Sequence, residues 1–284
     1  MPDWAIGLST GCFYQTNILD CLEEIRGAGF SELEICSFPK HLDYHDMALV
    51  QRTAGRMEEL GLEAYSLHAP FAPHLDITSF DAGARETALE QILRAASAAA
   101  ALGVKHFVIH PGPENGDYAE QERLRRMENA AVMLTRASHR CRELGIHLVL
   151  ENMLPHLFAG HIQDILWILG AMETVDVGVC IDTGHASLAG ELPTIAHKLS
   201  SHLWMVHASD NRGQFDDHLA PGDGHINWEE FLYHLAEIQF GGTIILEIAG
   251  TGSSASILQA AQRGRKHLSG IARHLTESQS WAPR

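Results

Sequence analysis

The chain has 284 residues, 45% hydrophobic and 20% charged, a balance that excludes a disordered or collagen-like polymer and allows a large core. Its 20 basic residues against 36 acidic ones leave a formal charge of −16, which argues against coating nucleic acid or anionic lipid through charge alone. Bound cations do not enter that count, and 19 histidines make metal binding the first possibility to test.

In chain order, Met1–Thr10 shows no basic stretch or cleavage-like run, so no signal peptide is expected. A strand is predicted at Ala5–Leu8, then a helix at Ile18–Ala28 and a strand at Glu32–Ile35. Helix Met47–Leu60 leads to strand Glu63–Leu67, and helix Ala82–Leu102 to strand His106–Ile109. Helix Ala119–Leu144 precedes strand His147–Leu150. Gly29, Gly61, Gly103 and Gly145 follow these helices, at the left-handed position that suits glycine. The second half repeats the pattern: helix Ile162–Leu169, strand Val177–Ile181, helix Leu192–Lys198 and strand Leu203–Val206. Helix Trp228–Ile238, strand Thr243–Leu246 and helix Ser254–Leu275 complete it. Eight strand–helix repeats read as an α/β barrel or a doubly wound sheet.

No Pro/Ser-rich linker breaks the composition, so residues 1–284 are expected to form one domain. The longest non-periodic connections carry Leu75–Phe80 and Arg212–His225. The most apolar helical stretch, Ala95–Val104, is too short to span a bilayer and contains Ser97 and Gly103. The five cysteines are odd in number and lack a CxxC pair, which fits buried thiols in a reducing compartment. A soluble, cytoplasmic protein is expected, with no signature of oligomeric state.

The strand ends carry the chemistry. The third to eighth strands end at His68, His110, Glu151, Asp182, His207 and Glu247. In a parallel barrel, residues just past the strands point into the mouth at the carboxyl end, so six strands aim three imidazoles and three carboxylates at one place. Any one of them reads equally well as a cap or turn residue. Together, unpaired carboxylates in one cleft repel and are costly to desolvate, so a cation is expected among them. Mixed His/Asp/Glu ligation suits zinc, manganese or iron better than calcium or magnesium. His185 follows Asp182 by three residues, and Asp216 and His218 form a DxH pair in the long connection after His207. Nine candidate ligands exceed what one ion uses, which points to more than one metal.

The segment Val177-Gly178-Val179-Cys180-Ile181-Asp182-Thr183-Gly184-His185-Ala186 resembles the endonuclease IV family. So do His110-Pro111-Gly112, Glu151-Asn152, Asp216-x-His218 followed by Gly222-Asp223-Gly224, and Ile245-Leu246-Glu247. Leu67-His68-Ala69-Pro70-Phe71 and Asp217–Trp228 look more like the sugar phosphate isomerase/epimerase branch. Both branches belong to the xylose isomerase-like superfamily of (β/α)8 TIM barrels, which implies that fold with its site at the C-terminal mouth. The isomerase resemblance implies a metal held by Glu151, Asp182, His207 and Glu247. The endonuclease resemblance implies three zinc ions, adding His68, His110, His185, Asp216 and His218. One to three zinc or manganese ions per chain are thus expected.

Two chemistries are compatible with these residues. In a sugar, sugar phosphate or inosose isomerase or 3-epimerase, Glu151 and Glu247 exchange a proton on opposite faces of a metal-stabilised enediolate, while His185 and Arg212 hold substrate hydroxyls. In a trinuclear zinc phosphoester hydrolase, the further ligands form second and third metal sites. The segment Ala69–His74 departs from the endonuclease pattern, and the arginines of the fourth helix alternate with glutamates as an ion-paired, solvated face. A small sugar substrate is therefore favoured over a phosphoester, and nucleic acid is not favoured. His41, His45, His139, His147, His197, His202, His234, His267 and His274 read as ordinary histidines without converging partners, whereas His74 and His225 lie near the mouth.

Overall fold

Alternation along short apolar strands decides the architecture. The computed structural model describes residues 4–114, 119–174 and 176–279, so Met1–Asp3 of the segment read for a signal peptide lie outside it. Eight parallel strands, β1 (Ile6–Ser9), β2 (Glu32–Cys36), β3 (Glu63–His68), β4 (His106–Ile109), β5 (His147–Glu151), β6 (Val177–Asp182), β7 (Leu203–Ala208) and β8 (Thr243–Leu246), form a closed barrel in chain order. β8 pairs back onto β1 with Ile6 opposite Ile244 and Leu8 opposite Leu246. That closure excludes the doubly wound sheet and gives the expected TIM barrel.

The helices among the described residues are α1 (Ile18–Gly27), α2 (Met47–Leu60), α3 (Ala82–Leu102), α4 (Arg123–Glu143), α5 (Ile162–Ala171), α6 (Thr183–Leu188), α7 (Leu192–Lys198), α8 (Trp228–Glu237) and α9 (Ser254–Gln279). Gly61 and Gly103 close α2 and α3 at φ 63° and 78°, in the left-handed region open to glycine. Two differences from expectation are local. The predicted helix from Ala119 begins as a 3-10 turn, Glu120–Glu122, before α4. α6 has no counterpart in the predicted elements, because six residues containing Gly184 show no helical period; the Asp182 carboxylate caps it by accepting from the His185 amide at 2.7 Å.

The larger core lies between barrel and helices, with Phe30, Phe107, Phe158 and Phe231 fully buried. A second cluster fills the barrel: Tyr65, Val108, Val149, Cys180, Met205 and Ile245. All five cysteines are free and buried. No helix among the described residues is long and apolar enough to cross a membrane. The face of α4 is ion-paired as expected, with Arg136 gripping Glu86 at 2.5 and 2.9 Å and Arg126 reaching Asp76 and Glu122.

Candidate metal centre

Strand periodicity sets the floor and the ligands of the mouth. Val108, Val149, Cys180, Met205 and Ile245 pack inside the barrel, so residues two positions onward face the same way. Those residues are His110, Glu151, Asp182, His207 and Glu247. His68 ends β3 beside them, and α6 presents His185 one turn beyond Asp182.

Three groups of side chains converge. His68, His110 and Glu151 form one; Glu151, Asp182, His207 and Glu247 form the second; His185, Asp216 and His218 form the third. Within each, one candidate ligand atom per residue lies within 4.8 Å of every other. Glu151 joins the first two, with Oε2 at 3.0 Å from His68 Nε2 and Oε1 at 3.2 Å from His207 Nδ1. Glu247 Oε2 also lies 3.2 Å from His207 Nδ1. In the third group, Asp216 Oδ2 is 2.9 Å from His218 Nε2 and 3.4 Å from His185 Nε2.

The tautomers are set from outside. His68 Nδ1–H donates to the Ala69 carbonyl at 3.0 Å, His185 Nδ1–H to that of Asn152 at 2.8 Å, and His218 Nδ1–H to that of Glu247 at 3.1 Å. A carbonyl oxygen only accepts, so these nitrogens carry the proton and each Nε2 faces the mouth. His207 is anchored the other way, with Nε2 2.9 Å from Glu34 Oε2 and Nδ1 facing inward. An outer nitrogen tied to a carbonyl or carboxylate is the arrangement that orients a metal-binding imidazole.

Electrostatics supports the same reading. Burial opposes the charged form of His68, but the hydrogen bond and charge of Glu151 outweigh it and raise the imidazole to about 9. Burial likewise opposes His218, yet Asp216 and Glu247 raise it to about 10. Burial lifts the Asp182 carboxyl to about 7, with His185 opposing and the charges of Glu247, Glu151 and Asp216 adding. Burial works against the Glu247 carboxylate too, but His207 holds it down at about 2. Protons thus do part of the work of charge balance, but not all of it. Asp182 Oδ2 and Asp216 Oδ1 are buried and accept no hydrogen bond. Unsatisfied buried carboxyl oxygens are costly, and a divalent cation held by the second or the third group would satisfy those within its reach. The residues present fit such ions.

The loop after β7 is tied to Asp210. Its carboxylate accepts from the amides of Gly222 (2.9 Å), Gly224 (3.2 Å) and Ile226 (3.1 Å) and from Trp228 Nε1 (2.9 Å). His218 in this loop adopts φ 45°, a strained value for a non-glycine residue.

Nine of the ten expected site residues therefore come together. Arg212 does not: it is 60% exposed and its nearest acidic partner is Asp217 at 3.9 Å, because its loop turns it to solvent. His74 and His225 line two separate clefts rather than the mouth. Sequence reasoning missed Glu34 and Asn152, which hold the candidate ligands His207 and Asp182, Asp210, which holds the loop carrying Asp216 and His218, and His156 and Glu114, which line the mouth cavity. Glu34 had one visible signal, a carboxylate between Leu33 and Ile35 in a buried strand. It also missed the convergence of His197 with His234 on the outer wall.

A family model for xylose isomerase-like TIM barrels matches residues 22–270. The chain belongs to that family. It is 30% identical over 255 residues to uncharacterized protein MJ1311 of Methanocaldococcus jannaschii, spanning 86% of this chain and 84% of that one. Inosose dehydratase of Geobacillus kaustophilus is 29% identical over 168 residues (51% of this chain, 53% of that protein). Probable endonuclease 4 of Mycoplasmoides gallisepticum is 23% identical over 206 residues, 66% of each chain. Among solved structures, a D-tagatose 3-epimerase-like protein superposes with TM-score 0.84 at 25% identity, covering 96% of this chain and 99% of that one. The TTHB071 protein of Thermus thermophilus, soaked with zinc chloride, gives TM-score 0.70 at 25% identity over 90% and 97% of the two chains.

Proposed function

We propose that this family member is a divalent-metal-dependent sugar isomerase or epimerase acting on a small ketose, ketose phosphate or inosose. One observation carries the reading: Glu151 of β5 and Glu247, just past β8, approach a common point at His207 Nδ1, each at 3.2 Å, on the wall of one sugar-sized cavity. The cavity holds about 360 Å³ and is lined by imidazoles, carboxylates, Phe71, Met153, Leu154 and Leu157, with no lysine or arginine among the described lining residues. Glu151, Asp182, His207 and Glu247 would hold the metal, which would supply Lewis-acid polarisation of a bound carbonyl. The two carboxylates, reaching the substrate from different strands, remove a proton beside that carbonyl and return one to the carbon. Phe71, Leu154 and Leu157 cover an apolar sugar face and exclude water. The likeness to the D-tagatose 3-epimerase-like protein supports this substrate class.

The test is incubation of the metal-loaded protein with a panel of ketohexoses, ketopentoses, their phosphates and inososes in deuterated water. Deuterium entering the carbon beside the carbonyl, with interconversion of epimers or isomers, is expected; no exchange with any of them overturns the reading.

A second reading rests on a specific observation, the two further ligand groups, His68/His110/Glu151 and His185/Asp216/His218. Zinc in these two groups and in the Glu151/Asp182/His207/Glu247 group, three ions in all, would suit phosphoester hydrolysis. Close to three zincs per chain bound at the mouth, cleavage of bis(p-nitrophenyl) phosphate or an abasic duplex, and no sugar exchange would select it over the isomerase.

A further inference from the structure

On the outer wall, away from the mouth, α7 and α8 bring another set of donors together. His197 Nε2 of α7 lies 2.9 Å from His234 Nδ1 of α8. Glu237, three residues after His234, places Oε2 3.3 Å from that Nδ1 and 3.4 Å from His197 Nε2. The three atoms form a small triangle, open to solvent on one side because the His197 and Glu237 side chains are partly exposed.

Hydrogen bonding cannot satisfy that triangle. The carboxylate oxygen only accepts. If both nitrogens carry protons, two N–H groups face each other at 2.9 Å; if one does, the other nitrogen's lone pair faces the oxygen. One edge is repulsive in either state. A cation at the centre removes the conflict, since all three atoms then act as donors to it. Zinc bound at about 2.0–2.1 Å with tetrahedral angles sets its ligand atoms roughly 3.3 Å apart, close to the spacing found. The surroundings match as well. Glu230 Oε1 stands 3.9 Å from the outer nitrogen of His234. At that distance the carboxylate acts through its charge alone, which favours the proton on the outer nitrogen and leaves Nδ1 free to bind.

We propose that His197, His234 and Glu237 form a surface site for one zinc-class divalent cation, with solvent completing the coordination. Two nitrogens and one oxygen select zinc, cobalt or nickel over calcium and magnesium. The bound ion clips α7 to α8, the helices on either side of β7 and of the loop that carries Asp216 and His218. This inference is independent of the chemistry at the mouth.

The experiment is equilibrium dialysis of the full chain against excess zinc, with metal analysis, on wild type, His197→Ala, Glu237→Ala and the control His202→Ala. Wild type and the control are expected to hold one more zinc than the two site variants, whose turnover is unchanged. Zinc is also expected to slow amide exchange in α7 and α8 of wild type and not of the site variants, and calcium at the same concentration to do neither. Equal zinc content in all four proteins, or a loss shared by His202→Ala, overturns the proposal.

Discussion

Glu34 Oε2 lies 2.9 Å from His207 Nε2, and this contact leaves His207 Nδ1 facing Glu151 and Glu247. Ser9 and Ser66 hydroxyls donate to the same carboxylate at 3.1 and 2.9 Å, so its orientation is itself held. Removing such an outer partner weakens metal binding about 10–100-fold. Glu34→Gln is expected at the low end, because an amide oxygen still accepts, and Glu34→Leu at the high end. Chelator competition for zinc or manganese measures it; unchanged affinity in both variants removes the positioning role.

Either proposed chemistry requires both glutamates of the mouth. Glu151→Gln and Glu247→Gln are each expected to lower turnover about 10²–10⁴-fold, the ordinary range for a lost general acid or base. Near-normal rates in both variants would sink the assignment of the mouth. His185→Ala and His218→Ala separate the two chemistries: each removes one metal per chain if the third group is occupied, and otherwise leaves the metal content unchanged.

The barrel and most of the mouth were legible in the sequence because both follow from periodicity. The repeats give strand and helix, and polar residues at the ends of six strands must share one rim once the barrel closes. Glu34 escaped because it sits mid-strand in β2 and meets His207 across the barrel, a contact set by stagger rather than by spacing along the chain. Asp210 escaped for another reason: its partners are backbone amides, which no residue pattern reveals. Arg212 misled because proximity in sequence to a ligand loop says nothing about which way a side chain turns. His197 and His234 each look like ordinary helical residues, and only the packing of α7 on α8 makes them neighbours.

Acid sensitivity should trace in part to His106. Burial, then the charges of His147 and Lys105, hold it at about 4 against 6.5 for the free group. The unfolded chain therefore takes up this proton first as pH falls below about 6.5. Stability from the neutral imidazole is complete above that pH and is lost progressively toward pH 4, on the order of 2 kcal/mol. His106→Phe keeps a ring against Tyr65 and Trp204 and deletes the titration. Melting curves of chelator-treated proteins between pH 7 and pH 4.5 are expected to show wild type losing several degrees more than the variant; parallel curves would contradict the linkage.

The thiols should be inert in the native protein. Burial pushes Cys21, Cys36 and Cys141 up to about 12, and Cys12 and Cys180 further. The reactive thiolate is then scarce at pH 8. A disulfide reagent is expected to modify essentially none of the five cysteines within minutes, and all of them in denaturant. A fast-reacting equivalent in the folded protein would show that one of them is reached by local opening.

Asp210 makes the loop after β7 a device for presenting Asp216 and His218. It is fully buried, and its two oxygens gather four loop amides, those of Asn211, Gly222, Gly224 and Ile226, and the Trp228 indole, while its own amide pairs with the Leu219 carbonyl at 2.8 Å. Asp210→Asn replaces one acceptor with a donor aimed at N–H groups, leaving at least one buried amide unpaired at a cost on the order of 2 kcal/mol. Gly224→Ala attacks the same contact from the other side, since a Cβ there would press on Asp210 Oδ1 and the Asn211 carbonyl. Both variants are expected to raise amide exchange across residues 211–226 and weaken binding at the His185/Asp216/His218 group, while strands β3 to β6 keep their protection. If exchange rises throughout the barrel instead, Asp210 supports the whole fold rather than the loop; if it rises nowhere, the carboxylate does not order the loop at all.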